Sequence, residues 1–171
     1  MTEHTDGKGI VVGVDGSEAS MAALRWAAEQ AEVLHTGLLA VHAWEPAASG
    51  HAPYAPAPAR PTAAQEHERA ARILTATVRE ALGPRIDGAV RHVVVEGPPA
   101  RVLLQQARGA LLLALGRKAH GTFGLPSVGP VGRECLRHST VPVVTVPVTE
   151  PSREPREAVD RPSPARSGAS C

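Results

Sequence analysis

Short β-branched apolar runs alternate along the chain with longer stretches in which apolar residues recur every three or four positions. Ile10 to Val14 is apolar throughout and stops at Asp15-Gly16, the length and punctuation of a buried strand. Ser17 then offers an N-cap, and Leu24, Ala27, Ala28, Ala31 and Leu34 form the inward stripe of a helix that Gly37 closes. Leu38 to Ala43 reads as a second strand. From about Ala64 to Leu82, the residues Ala71, Leu74, Val78, Ala81 and Leu82 fall on one helical face, and Gly83-Pro84 ends it. Val90 to Val95 is a third strand, after which Gly97-Pro98-Pro99 turns the chain into a short helix through Val102, Leu103 and Ala107. Leu111 to Leu115 predicts strand four, and Gly116 to Gly129 a loop rich in glycine and basic residues. A helix over Val131 to His138 and a fifth strand over Val143 to Val146 complete the pattern.

Strands apolar on both faces and separated by helices describe a parallel sheet covered on both sides, with right-handed crossovers. Five of them predict an open doubly wound α/β domain: a five-stranded parallel sheet with helices on both faces. Ligands of such a sheet bind beyond the carboxyl ends of the strands. Two segments stand apart from this core. Pro46 to Thr62 contains Pro46, Pro53, Pro56, Pro58 and Pro61 among alanines, and reads as an extended surface loop. Thr149 to Cys171 carries Pro, Ser, Arg and Glu with hardly an aliphatic side chain, the composition of a disordered tail. The domain is therefore expected over residues 8–148, and the tail over 149–171.

At 171 residues the chain has room for one such domain, taking roughly 150 residues per domain. Hydrophobic residues make up 43% but aromatics only 2%, so the core must be built from Ala, Val and Leu. So few rings exclude modules that read nucleic-acid bases by stacking. Eighteen basic against seventeen acidic residues give a formal net charge of +1, which excludes a broad basic surface but leaves room for a basic loop. Cys135 and Cys171 cannot make a disulfide framework, which fits a reducing cytoplasm. The polar stretch Met1 to Lys8 predicts no secretory leader. The longest apolar runs fall well short of the roughly 18–20 residues that cross a bilayer. A cytoplasmic protein that binds neither membrane nor nucleic acid is expected.

Asp15 lies just past the first strand, where an open α/β sheet presents ligands, and Gly16-Ser17 opens a helix whose free N–H groups favour an anion. The plain alternative is a turn-and-cap aspartate. The stretch Gly116 to Gly129 leaves strand four, carries Arg117, Lys118 and His120, and ends near a helix start. Its glycines allow close backbone approach to a ligand, although such loops are often merely solvated. A phosphotransfer aspartate would need a second carboxylate for magnesium, and Gly16-Ser17 follows Asp15 instead. Pro126-Ser127-Val128-Gly129 lacks the first glycine of a nucleophile elbow, with Leu125 in its place. The histidines show no metal-ligand spacing and there is no Cys-x-x-Cys, so no zinc site is expected. Cys135 reads as a small core side chain and His42 as a hydrogen-bonded structural histidine.

Val11-Val12-Gly13-Val14-Asp15-Gly16-Ser17, the helix containing Ala23-Leu24-Arg25-Trp26-Ala27, and Val41-His42-Ala43-Trp44 resemble the universal stress protein family. So do Glu96-Gly97-Pro98-Pro99-Ala100, Gly116 with His120-Gly121 and Phe123, and Leu136-Arg137-His138 leading to Val141-Pro142-Val143. The resemblance covers about residues 8–148. It implies a flavodoxin-like sheet, a homodimer and, in one branch of the family, ATP or AMP binding. In that branch the loop reads Gly, two residues, Gly, nine residues, then Gly followed by Ser or Thr. Gly116 and Gly129 match the outer glycines. Ala119 replaces the middle glycine, Pro130 replaces the Ser or Thr, and Gly132 stands where a second small hydroxyl residue is common. Ala119 adds a methyl where backbone approaches phosphate. Pro130 removes a hydroxyl and an N–H, although proline suits a first helical position. Losing two or three phosphate donors, each worth about 1.5–3 kcal/mol, predicts ATP binding weakened by orders of magnitude. Arg117, Lys118 and Arg133 offset part of that as point charges.

Two readings follow, both of a stress-response binding or regulatory protein rather than a turnover enzyme. In the first, an adenine nucleotide binds weakly, with Val14, Asp15 and Ala43 facing the base and ribose and Gly116, Lys118, Ala119, Gly129 and Val131 lining the phosphates. In the second, a nucleotide-independent dimer works through partner contacts and keeps the degenerate loop as scaffold. In either, Val141 to Val148 is expected at the edge of the sheet. It is too apolar to be left in water, and antiparallel pairing with a second copy would cover it.

Overall fold

The structure is a computed structural model and describes residues 9–46, 61–83, 90–118 and 127–148. Strands and helices alternate in the order β1 (Ile10–Gly13), α1 (Glu18–Val33), β2 (Leu38–Trp44), α2 (Ala63–Leu82), β3 (Val90–Glu96), α3 (Pro99–Gln106), β4 (Leu112–Arg117), α4 (Pro130–His138) and β5 (Val143–Pro147). All neighbouring strands are parallel, in the sheet order β3-β2-β1-β4-β5. The predicted α/β sheet is the one observed, with β5 at one edge. Residues 47–60, 84–89, 119–126 and the predicted tail 149–171 lie outside the described residues.

Strand alternation divides the core between the two faces of the sheet. Ile10, Val12, Ala40 and Ala114 pack beneath Leu24, Ala27, Leu74 and Val78 of α1 and α2. Val11, Val41, Leu113 and Leu115 pack beneath Val102, Leu103 and Cys135 on the α3–α4 face. The small residues of α1, with Ala23 and Ala27 wholly buried, let that helix lie close on the strands.

Several boundaries differ from the sequence pattern. Gly116 and Arg117 belong to β4 rather than to the loop, because β5 extends to Pro147 and pairs it with Arg117. Thr62, expected in the proline-rich loop, caps α2: its hydroxyl accepts from Gln65 N–H while the Gln65 side chain accepts from Thr62 N–H. Leu34, expected on the buried stripe of α1, is 52% exposed. Helix α1 stops at Val33, and the chain turns through His35 at φ 48° before it reaches Gly37. Thr36 N–H then bonds Ala31 O at 2.9 Å, closing the helix without a glycine at the left-handed position.

Candidate functional site

The chain turns back across the sheet between β1 and β4, so the segments leaving these adjacent strands diverge to opposite faces and leave a crevice at their carboxyl ends. Asp15-Gly16-Ser17 forms one wall. Gly16 has φ 83°, and a Cβ there would lie 3.1 Å from Ile73 Cγ2 of α2, so glycine is required both for the turn and for the approach of that helix. Asp15 Oδ1 accepts from Ser17 N–H (3.0 Å) and from the Ser17 hydroxyl (2.6 Å), and Ser17 Oγ in turn accepts from Ser20 N–H at the head of α1. Partial burial pushes the Asp15 carboxyl up. The hydrogen bonds from the Ser17 hydroxyl and N–H, with help from Ser20, outweigh it and hold the group below its ordinary value. Asp15 is therefore a turn-and-cap aspartate that is also ionised and solvent-exposed at the mouth of the crevice.

Beside it, β2 outruns β1. Ile10 N–H bonds Gly37 O and Val14 N–H bonds Val41 O, so the odd-numbered residues of β2 turn their backbone groups toward β1. The next link would run from Ala43 N–H to Val14 O. That carbonyl is taken instead by His42 Nδ1 at 2.6 Å, which fixes the proton of the imidazole on Nδ1. Val14 thus spends both its backbone groups on scaffold, and its side chain is 4% exposed. Ala43 keeps an N–H and a carbonyl directed past the end of β1, without a ladder partner among the described residues. The sequence marked His42 as hydrogen-bonded. That its bond frees Ala43 depends on where two distant segments end.

The opposite wall is basic. Lys118 bridges Ser127 in antiparallel fashion, tying the two ends of the loop together; Ala119 lies outside the described residues. Arg117 Nε is buried without a hydrogen-bond partner among the described residues. Helix α4 begins at Pro130 with Gly129 as N-cap, has no side-chain cap, and carries no acidic residue in its first turn. Its first helical bond is Arg133 N–H to Gly129 O, which leaves the N–H groups of Val131 and Gly132 ahead of it. Helix α1, by contrast, is capped by Ser17 and has Glu18 in its first turn beside the ionised Asp15. The local field therefore disfavours an anion at the head of α1 and favours one at the head of α4. Gly132 is buried, and a side chain on it would run into Val128 Cγ1.

No group of three metal-ligating side chains occurs among the described residues. Cys135 is wholly buried, its thiol is pushed up to about 11 by burial with a smaller push from Glu134, and its Sγ lies 4.0 Å from Ala100 O. It is a core side chain. No described helix is long and apolar enough to cross a membrane.

A family model described as "Universal stress protein family" matches residues 8–147. A universal stress protein of Mycobacterium tuberculosis is 32% identical over 149 residues, which cover 82% of this chain and 46% of that protein. One of Mycolicibacterium smegmatis is 28% identical, covering 85% of this chain and 50% of that protein. The chain thus spans about half the length of the curated relatives it matches. Among solved structures, a universal stress protein family member from Burkholderia pseudomallei has 27% identity and a TM-score of 0.57, covering 82% of this chain and 96% of that one. A universal stress protein in complex with cAMP has 22% identity and a TM-score of 0.54, covering 83% and 98%. One from Archaeoglobus fulgidus in complex with dAMP has 18% identity and a TM-score of 0.54, covering 81% and 97%. At those two identities the likeness speaks for the fold.

Proposed function

The chain belongs to the universal stress protein family, and from that premise we propose that it is a stress-response regulatory protein that binds an adenine nucleotide weakly. The observation that carries this reading is the polarity of the crevice. One end offers a free backbone donor–acceptor pair at Ala43 and an ionised carboxylate at Asp15, suited to a base edge and ribose hydroxyls. The other offers uncapped N–H groups at Val131 and Gly132 with Lys118 and Arg133 nearby in the chain, suited to phosphate. The nucleotides held by the cAMP and dAMP complexes of structural neighbours lend support. Binding is weak because Pro130 supplies neither hydroxyl nor N–H at the head of α4. The protein binds rather than turns over its ligand, and Cys135, held protonated in the core, offers no nucleophile.

Titration calorimetry with AMP and ATP tests this reading. Weak binding is expected, and the double change Ala119→Gly with Pro130→Ser should tighten ATP at least tenfold, about 1.4 kcal/mol. No heat from either nucleotide, before or after the change, would instead favour a nucleotide-independent module. The loss of donors at Pro130 is the observation behind that second reading. Both readings include a homodimer through β5.

A further inference from the structure

At the other end of the sheet, away from the strands' carboxyl ends, lies a cavity of about 500 Å³. That volume is in the range of small-molecule sites, and nothing in the nucleotide reading uses it. Its floor is apolar, made by Ala28 and Ala31 of α1, Leu38 at the start of β2, Leu82 of α2 and Val90 at the start of β3. Both crossover helices on this face run against the strands, so α1 and α2 both bring their carboxyl ends here, each equivalent to roughly half a negative charge.

The rim adds to that field. Glu29 and Glu32 line the cavity at the carboxyl end of α1, whose last turn contains no basic residue. Neither makes an ion pair among the described residues. Arg25, His35 and Thr36 complete the rim; Arg25 Nε donates to Ala81 O at 3.3 Å, which sets its positive charge against the end carbonyls of α2. Two carboxylates at the negative end of a helix oppose the helix dipole, an arrangement that a bound cation would relieve. An anion would meet two carboxylates and two helix carboxyl ends, with the Arg25 guanidinium and the His35 ring standing against them on the same rim. We propose that this cavity binds a small organic cation: an ammonium group, held by Glu29 and Glu32, on an apolar body that covers the floor.

The test is an NMR titration of the full chain at low salt, where exposed charges are least screened. The probes are 2-(1-naphthyl)ethylamine and 1-naphthylacetate, which share a ring and differ in the sign of their charge. The amine should shift the amides of Ala28, Ala31, Leu38 and Val90 and bind at least tenfold more tightly than the carboxylate. Glu29→Gln with Glu32→Gln should reduce that preference below threefold. The variant removes charges that oppose the helix dipole, so its melting temperature should hold or rise. The proposal is overturned if neither probe shifts these amides at millimolar concentration, if both bind alike, or if the double variant keeps the preference. Nucleotide binding enters none of these readouts.

Discussion

Gly116 illustrates how one residue can satisfy two demands. Its place in the loop pattern assigns it to phosphate, yet the structure supplies a packing reason that needs no ligand. A Cβ at Gly116 would fall inside van der Waals contact of Ala19 C and O and 2.7 Å from Ser20 N, in the first turn of α1. The missing side chain is what lets α1 descend on β4. Gly116→Ala should therefore destabilise the fold by about 1–3 kcal/mol, the usual cost of overpacking, measured by urea unfolding. Gly129 has φ −64° and open space where its Cβ would be, so Gly129→Ala should cost less than about 1 kcal/mol. If Gly116→Ala left the unfolding midpoint in place, the residue would owe its identity to a ligand alone.

At the scale of elements, α1 carries the clearest local conflict. Its amino end is well made: Ser17 accepts from Ser20 N–H, and Glu18 complements the dipole. Its carboxyl end is not. His35 occupies the left-handed position that glycine normally fills, at a cost of about 1–2 kcal/mol for a residue with a Cβ. Glycine there would release that cost and give back part of it through a freer unfolded chain. His35→Gly should stabilise the protein by about 0.5–1 kcal/mol, seen as a higher melting temperature. A fall would mean that the imidazole makes a contact worth more than the strain.

For the molecule as a whole, the two sheet edges differ. The β3 edge carries Arg91 and Glu96 and an exposed His92, charges and polarity that discourage pairing. The β5 edge carries no charge over Val143–Pro147, and Thr145 is its one polar side chain. Leu113 N–H bonds Pro142 O, which in the parallel register directs the groups of Val144 and Val146 to β4 and those of Val143, Thr145 and Pro147 outward. Val141 is spoken for locally, since Ser139 Oγ donates to its carbonyl and accepts from its N–H. Two outward donors remain, on Val143 and Thr145, and a two-fold pairing centred on Thr145 would use both. A charged residue at Val146, 9% exposed, would attack the core rather than the edge. Thr145→Pro removes an outward N–H and spares the β4 ladder. By sedimentation at micromolar concentration the native chain should be a dimer and the Thr145→Pro variant a monomer. A monomeric native chain would refute pairing through β5.

The alternation of apolar runs with helical periodicity was enough to determine the parallel sheet, because strands apolar on both faces must be covered on both. It also placed Cys135 in the core and Asp15 beyond the first strand, since each depends on its own neighbours in the chain. The tertiary structure decided everything that depends on where separate segments stop relative to one another. His42 takes the Val14 carbonyl from 28 residues away and so leaves Ala43 free. Leu34 is exposed because α1 ends a residue before it, and Gly116 is read as a loop glycine until β5 draws it into β4. Periodicity reports which face of a segment is buried. The unpaired donors, carbonyls and cavities from which a site is made arise from the register between segments, and no local pattern encodes that.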